Sequence, residues 1–320
     1  MQFYRSGLDK KMAIPMSISD NLYYITSNSR THMQKICFLS TDNLEDFYVW
    51  DDLLIPHFAA KGYTVDVISW HAPDVDWSNY ELVIVRSTWD YQDDPKAFTA
   101  VLARIEASAT VLANPYALMQ WNISKWYLQD LASDGVTIIP SRFYKGINTE
   151  EIALHFQEFA SAEIVIKPLI SANSDNTFRL TPESLVAQAD TLNTVFNELD
   201  CMVQPFLKSI ISDGEYSLFY FNGQYSHAIK KVPKQGDFRV QEEHGGQLYT
   251  ITPDMEQMIA AKKVLAKLPE EALYARVDLV FNEQQWQLME VELIEPSLYF
   301  NMDKHSPAKF VAASLDYLNK

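Results

Sequence analysis

Tyr274-Ala275-Arg276-Val277-Asp278-Leu279-Val280-Phe281 and Leu288-Met289-Glu290-Val291-Glu292-Leu293 read as the two strands of one hairpin, with the turn near residues 282–285. Side chains alternate across a strand, so Arg276 and Asp278 share one face while Val277, Leu279 and Phe281 share the other. Glu290 and Glu292 pair up in the same way, with Met289, Val291 and Leu293 pointing away. Three carboxylates on one face repel each other unless a cation sits among them. Two readings fit: a solvated charged face, or hard oxygen ligands for Mg²⁺ or Mn²⁺ with phosphate oxygens completing the shell. The second demands a register that pairs Asp278 with Glu290 and Arg276 with Glu292. That register centres the turn on Gln284 and calls for an odd loop, most simply Glu283-Gln284-Gln285. An even loop would send Asp278 to the opposite face unless a bulge inserted one residue.

Upstream, Lys167 ends the apolar strand Ile164-Val165-Ile166 and is followed by Pro168-Leu169-Ile170. An ammonium in such a strand needs a partner or a ligand, or its stem snorkels to water. The small polar residues Ser171-Ala172-Asn173-Ser174-Asp175-Asn176 then suit a loop that closes over a ligand. Val203-Gln204-Pro205-Phe206-Leu207 is an apolar segment able to pack on a planar ring, although core strands look the same. Gly236-Asp237-Phe238-Arg239 and His244-Gly245-Gly246 place glycines in a chain with only nine of them, about 3% against a usual value near 7%. Arg239 there can meet a phosphate bidentately.

The first part of the chain alternates strands (near 35–39, 64–69 and 81–86) with helices (about 49–61, stopping at Gly62, and from Pro95). This is a parallel α/β unit, whose ligands gather beyond the carboxyl ends of the strands. Arg86-Ser87-Thr88-Trp89-Asp90-Tyr91 lies at such an end, either as a capped loop or as a substrate contact. Asn114-Pro115 marks a boundary. Residues 1–32 lack apolar periodicity and are expected to form a mobile leader; 33–114 is the α/β unit, and 115–320 a second domain with lobes 115–202 and 203–320. Helices are expected near 254–267 and 306–318.

The 320 residues carry 26 Lys+Arg against 42 Asp+Glu, a net charge of −16, which argues against general binding to nucleic acid or anionic membrane. Phosphate-loop, dinucleotide G-x-G-x-x-G, G-x-S-x-G, H-E-x-x-H and C-x-x-C motifs are missing, so bound phosphates would rely on side-chain cations. Two cysteines, Cys37 and Cys201, give no disulfide framework, and a reducing cytoplasmic setting is expected.

The order of these features resembles the ATP-grasp superfamily from about residue 115 onward, behind its usual N-terminal α/β domain. Gly236-Asp237-Phe238-Arg239 with Gly245-Gly246, and the spacing of Asp278 and Glu290, resemble the glutathione synthetase and ribosomal-protein glutamate ligase branch. Arg86 to Tyr91 and Glu292-Leu293-Ile294-Glu295-Pro296-Ser297-Leu298 are similar to the O-ureido-D-serine cyclo-ligase of cycloserine biosynthesis. The resemblance implies an α/β ATP-grasp ligase that joins a small carboxylate to an amine through an acyl phosphate, using ATP and Mg²⁺ or Mn²⁺. A non-ligating nucleotide-binding protein and a small-molecule kinase are the alternatives; a homo-oligomer is compatible with each. It further implies that Lys125 and Lys167 hold phosphates, that Gln204 and the Phe206-Leu207 backbone meet adenine, and that Glu215 meets the ribose. Arg239 and Arg276 would steady the transferring phosphoryl group, and Asp278, Glu290 and Glu292 would hold metal. Lys230 and Gln241 are weaker carry-overs to the nucleotide, and Arg86, Ser87, Trp89, Asp90 and Ser297 to the substrate. Glu292 stands where many members have Asn, and the loop after Lys167 lacks the usual glycines.

Overall fold

The apolar run Ile36-Cys37-Phe38-Leu39 is buried on both faces, and this sets the first layer. Strands β1 (Gln34–Ser40), β2 (Tyr63–Ser69), β3 (Leu82–Ser87) and β4 (Val111–Ala113) form a parallel sheet in the order β2-β1-β3-β4. Ile36, Phe38, Leu82 and Ile84 face a core shared with Phe310 and Val311 of the C-terminal helix Ser306–Leu318. Cys37, Leu39, Val83 and Val85 face Phe98, Leu102 and Ile105 of the helix Pro95–Glu106. Continuous apolar strands are what a parallel sheet covered on both sides requires. The structure, a computed structural model, describes residues 34–320 apart from 46 and 173. The expected mobile leader, 1–32, lies outside those residues.

The helix expected over 49–61 is broken into a 3-10 turn, Asp51–Leu54, and a short helix, Ile55–Ala59. Pro56 has no amide to continue the ladder from the preceding turn, so the helix restarts around it.

A second sheet contains β5 (Arg142–Lys145), β6 (Ile164–Pro168), β7 (Phe178–Leu180) and β8 (Asp200–Pro205), antiparallel in the order β5-β8-β6-β7. The lobe boundary expected between 202 and 203 therefore falls inside β8. Met202 pairs with Lys167 and Val203 with Ile166, so the sheet continues to Pro205.

The third sheet is antiparallel, in the order β11-β10-β9-β12-β13: β9 Glu215–Phe221, β10 Gln224–Val232, β11 Gln247–Ile251, β12 Tyr274–Asn282 and β13 Gln285–Glu292. Its apolar face, with Leu218, Val277, Leu279 and Val291, packs on Leu128 and Leu131 from one helix and Ala261 and Val264 from another. The other face carries Ser217, Arg276, Asp278, Glu290 and Glu292.

Asp278 pairs with Glu290 and Arg276 with Glu292, as the metal reading demands. The expected three-residue loop is not how that register is reached. Asn282 pairs with Gln285, leaving a two-residue turn of Glu283 and Gln284, both at positive φ (49° and 63°). A twist-matched hairpin favours that mirror-image turn. The one-residue offset is absorbed between Asp278 and Leu279, where Met289 is the extra residue of a β-bulge.

Asn114, fully buried, joins the first and third sheets. Its amide nitrogen donates to the carbonyls of Leu293 (2.7 Å) and Tyr274 (2.9 Å), and its oxygen accepts from the amide of Leu273 (2.6 Å). The buried Tyr274 hydroxyl lies 2.8 Å from the Ile294 carbonyl and 3.0 Å from that of Val85, spanning the same seam. Asn114→Ala strands several buried backbone groups, each worth about 1–3 kcal/mol unpaired. A fall in unfolding free energy of about 2–5 kcal/mol on that basis, measured by urea denaturation, is the expected outcome.

Candidate active site

A cavity of about 220 Å³ lies between β6 and β8 on one side and the charged face of the third sheet on the other. Opposing charges are packed into its wall. Arg276 Nη2 lies 2.9 Å from Asp278 Oδ2 and also contacts Glu292. Lys231 contacts Glu215 and lies 3.6 Å from Asp278, to which Ser217 also donates. Lys125 Nζ lies 3.2 Å from Glu290 Oε1 and 3.2 Å from the Ser171 carbonyl. Lys167 lines the same cavity without any ion pair among the described residues.

The proton affinities follow from this wiring. Burial raises the Asp278 carboxyl, but Arg276 and Lys231 outweigh it and hold it below the usual range. Burial likewise acts on Glu290, where Lys125 and Lys167 prevail and lower it. Glu292 goes the other way, to about 7, because burial and repulsion from Glu290 and Asp278 exceed what Arg276 offsets. Glu215 is raised by burial despite Lys231. Desolvation lowers the Lys167 ammonium, and Glu290 only partly restores it. Glu295 is pushed up to about 8 by burial and then by Glu292. Among the described residues, no three His, Cys, Asp or Glu side chains converge tightly enough to hold a metal ion as they stand.

The far end of the cavity is apolar, lined by Ile139, Val165, Phe206, Leu207, Ile210 and Met289. Gln204 donates its side-chain amide to Ser141 Oγ at 2.9 Å. Phe206 gives its N–H to the Glu163 carbonyl (2.9 Å) and the Leu207 carbonyl accepts from Ile210 (3.1 Å), so among the described residues the Leu207 N–H is the one of the two amides that donates to no backbone carbonyl. The Arg179 guanidinium lies 3.9 Å from the Phe206 ring centroid and holds it in place. Over the opening, Gln241 donates to Ser174 Oγ at 3.0 Å, tying the loop after Lys167 to the glycine-bearing segment. Arg239, at the rim, is held by Asp237 at 2.8 Å.

Most of the expected residues meet in this cavity: Lys125, Lys167, Gln204, Phe206, Leu207 and Glu215 line it. Arg239, Gln241, Arg276, Asp278, Glu290 and Glu292 do so as well, together with Trp89 and Ser297. Four do not. Lys230 lies on the opposite face of β10, its ammonium 5.5 Å from the Tyr216 ring centroid, and Lys231 takes the inward place because it pairs with Glu215. Which of the two adjacent lysines faces inward is decided by the register of β10 against β9. Arg86 is buried between Asp51 (2.9 Å) and the Pro296 carbonyl (3.1 Å), against the rings of Tyr274, Phe300 and Phe310. Ser87 donates to the same Asp51 at 2.8 Å. Asp90 is spent on Thr41, Trp70 and His71. These three stiffen the segment around Trp89 and leave the cavity to it. Lys231, Ser217, Tyr91 and Glu295 were not singled out by sequence reasoning.

Residues 36–114 match the family model of the D-cycloserine synthetase DcsG N-terminal domain, and residues 143–306 that of the prokaryotic glutathione synthetase ATP-grasp domain. The cycloserine biosynthesis protein DcsG of Streptomyces lavendulae is 30% identical over 273 residues, covering 80% of this chain and 90% of that one. A glutathione synthetase from Prochlorococcus marinus subsp. pastoris is 23% identical over 251 residues, covering 74% and 78%. The crystal structure of D-cycloserine synthetase DcsG superposes with a TM-score of 0.78 at 27% identity, over 89% of this chain and 99% of that one. D-alanine–D-alanine ligase from Bacillus anthracis shares the fold at a TM-score of 0.63 and 12% identity, over 89% and 97%.

Of the three cavity lysines, Lys231 and Lys167 make opposite predictions for stability. Lys231→Met strands the buried Glu215 and Asp278, so unfolding free energy should fall by about 3–5 kcal/mol. Lys167→Met removes an ammonium that burial already disfavours and that has no carboxylate at ion-pair distance among the described residues. Its denaturation midpoint should stay level or rise, and a fall matching that of the Lys231 variant would show that Lys167 is a structural lysine.

Proposed function

The chain belongs to the ATP-grasp ligases, and we propose that it joins the carboxylate of an amino acid or amino-acid analogue to an amine through an acyl phosphate. As a member it is an enzyme that forms carbon–nitrogen bonds with ATP and a divalent metal ion. One observation carries the finer reading: a single cavity that brings together an apolar slot, three lysines, two arginines and three hairpin carboxylates.

Phosphoryl transfer needs positioning and charge neutralisation more than covalent help from the protein. Lys125 and Lys167 neutralise the phosphates, and of the two it is Lys167 that has no ion pair among the described residues. Phe206, Leu207, Ile210 and Met289 sandwich the adenine, with Glu215 toward the ribose. Arg276, whose burial is outweighed by Asp278 and Glu292 so that it stays fully charged, faces the oxygens that gain charge as the phosphoryl group moves. Arg239 closes from the rim with its loop.

Asp278, Glu290 and Glu292 have the hard oxygen donors that suit Mg²⁺. In the structure each is turned to Arg276, Lys231 or Lys125. Glu292 is raised to about 7 by burial and its neighbours, and a cation held by these carboxylates would offset that repulsion. Mg²⁺, when bound, would supply charge neutralisation of the phosphates. Exclusion of water protects an acyl phosphate from hydrolysis, and the Gln241–Ser174 contact between the two covering loops serves that end.

Among the described residues no helix is long and apolar enough to cross a membrane. Cys37 and Cys201 are free, as a reducing cytoplasmic setting calls for, and burial pushes their thiols up to about 12.

ADP and phosphate release, measured with Mg·ATP and a panel of D- and L-amino acids and their analogues, tests the reading, with mass spectrometry of the product. Amine-dependent release and a new amide are expected. A stable phosphorylated product that forms without an amine would overturn it in favour of a kinase. Lys167→Ala should lower kcat/KM for ATP by on the order of 10²-fold while the protein stays folded.

A further inference from the structure

Six carboxylates line the cavity: Glu215, Glu243, Asp278, Glu290, Glu292 and Glu295. Four are ion-paired to Lys231, Arg276 or Lys125, and Glu243 is exposed at the mouth. Glu295 remains: half-buried, facing the cavity, and with no cation at ion-pair distance among the described residues.

The segment that carries it is held unusually firmly. Its own backbone carbonyl accepts from the Trp89 indole at 2.9 Å. The next carbonyl, of Pro296, accepts from Arg86 at 3.1 Å, and that of Ser297 from Arg276 at 3.4 Å. Three consecutive carbonyls are thus pinned from two sheets. Buried Tyr91 lines the cavity beside Glu295, and burial and then the Glu295 charge raise the Tyr91 hydroxyl. Trp89 and Phe47, ring centroids 5.1 Å apart, line the same end of the cavity.

A fixed carboxylate without a cation, beside two aromatic rings, is the chemistry that recognises a primary ammonium. We propose that Glu295, flanked by Trp89 and Phe47, receives the ammonium group of the amino-acid substrate and so selects amino acids over their uncharged counterparts. This deepens the ligase reading and rests on it. Arg276 links the two functions, because it contacts Glu292 in the phosphoryl region and the Ser297 carbonyl beside Glu295. An ammonium held there lies beside the segment that Arg276 ties to the hairpin carboxylates. It is either the α-ammonium of the activated substrate or the incoming amine.

The test is calorimetric binding to full-length protein already saturated with Mg²⁺ and a non-hydrolysable ATP analogue. The probes are D- and L-alanine and D- and L-serine, each beside its 2-hydroxy acid, and ethanolamine as an amine without a carboxylate. Glu295→Gln is expected to weaken amino-acid binding at least tenfold, to leave the affinity for the ATP analogue within twofold, and to leave the weak 2-hydroxy acids unchanged. Glu295→Asp should recover part of the loss. Ethanolamine binding that is lost with Glu295→Gln would assign the site to the incoming amine; binding restricted to the amino acids would assign it to the activated substrate. Equal losses for amino acids and 2-hydroxy acids, or no loss for either, would overturn the proposal, as would wild-type protein that takes the ATP analogue but none of the ammonium probes. Failure of the wild type to bind the ATP analogue would instead strike at the ligase reading, and with it the proposal.

Discussion

Asp278, Glu290 and Glu292 share one buried face of a two-stranded hairpin, and this is possible only because cations stand within reach of each. Arg276 and Lys231 answer Asp278, Lys125 answers Glu290, and Arg276 again answers Glu292. These cations come from β12 itself, from β10 and from the turn before the helix Tyr127–Ser133. Charge compensation therefore ties three separate parts of the chain to one spot. Hydrophobic burial holds the lobes up, but it does not tell them where the polar faces must meet.

The compensation is uneven, and the unevenness is useful. Asp278 is overcompensated and ionised, whereas Glu292 and Glu295 are undercompensated and raised to about 7 and about 8. Lys167 is the mirror case, an ammonium with no ion pair among the described residues that desolvation disfavours. A site with surplus negative charge near the hairpin and a lone cation across from it gains most when metal and phosphate arrive together. Such coupled occupancy is how an acidic protein can hold a polyanion.

The N-terminal sheet contributes to this site chiefly by attachment. Asn114 and Tyr274 stitch β4 to β12 through buried hydrogen bonds, and Arg86 does the same for the segment around Pro296. With these in place, Trp89 and Tyr91 reach the cavity from the carboxyl end of β3 while their neighbours Arg86, Ser87 and Asp90 are consumed in holding them there. Polar residues at a strand end were legible as important. Which of them touch ligand and which support the others depended on partners as distant in the chain as Pro296.

Three of the four strands of the parallel sheet, the helix opened by Pro95 and the C-terminal helix were determined by the sequence by itself, and so was the condition that a shared metal site needs Asp278 paired with Glu290. Each rests on a local rule, namely alternation, capping or the need to bring like charges to a common cation. Only the tertiary structure decided the rest. The hairpin keeps its register with a two-residue turn and a bulge at Met289 because twist favours that turn, a matter of strand geometry that composition does not record. β8 belongs to the second sheet through its pairing with β6, so no linker composition marks the lobe boundary. Lys231 rather than Lys230 faces the site because Glu215 stands opposite it across β9, and Glu295 stands without a cation because its neighbours' cations are already taken. Period-two alternation leaves two choices of face for every strand, and only the neighbouring strand removes one of them.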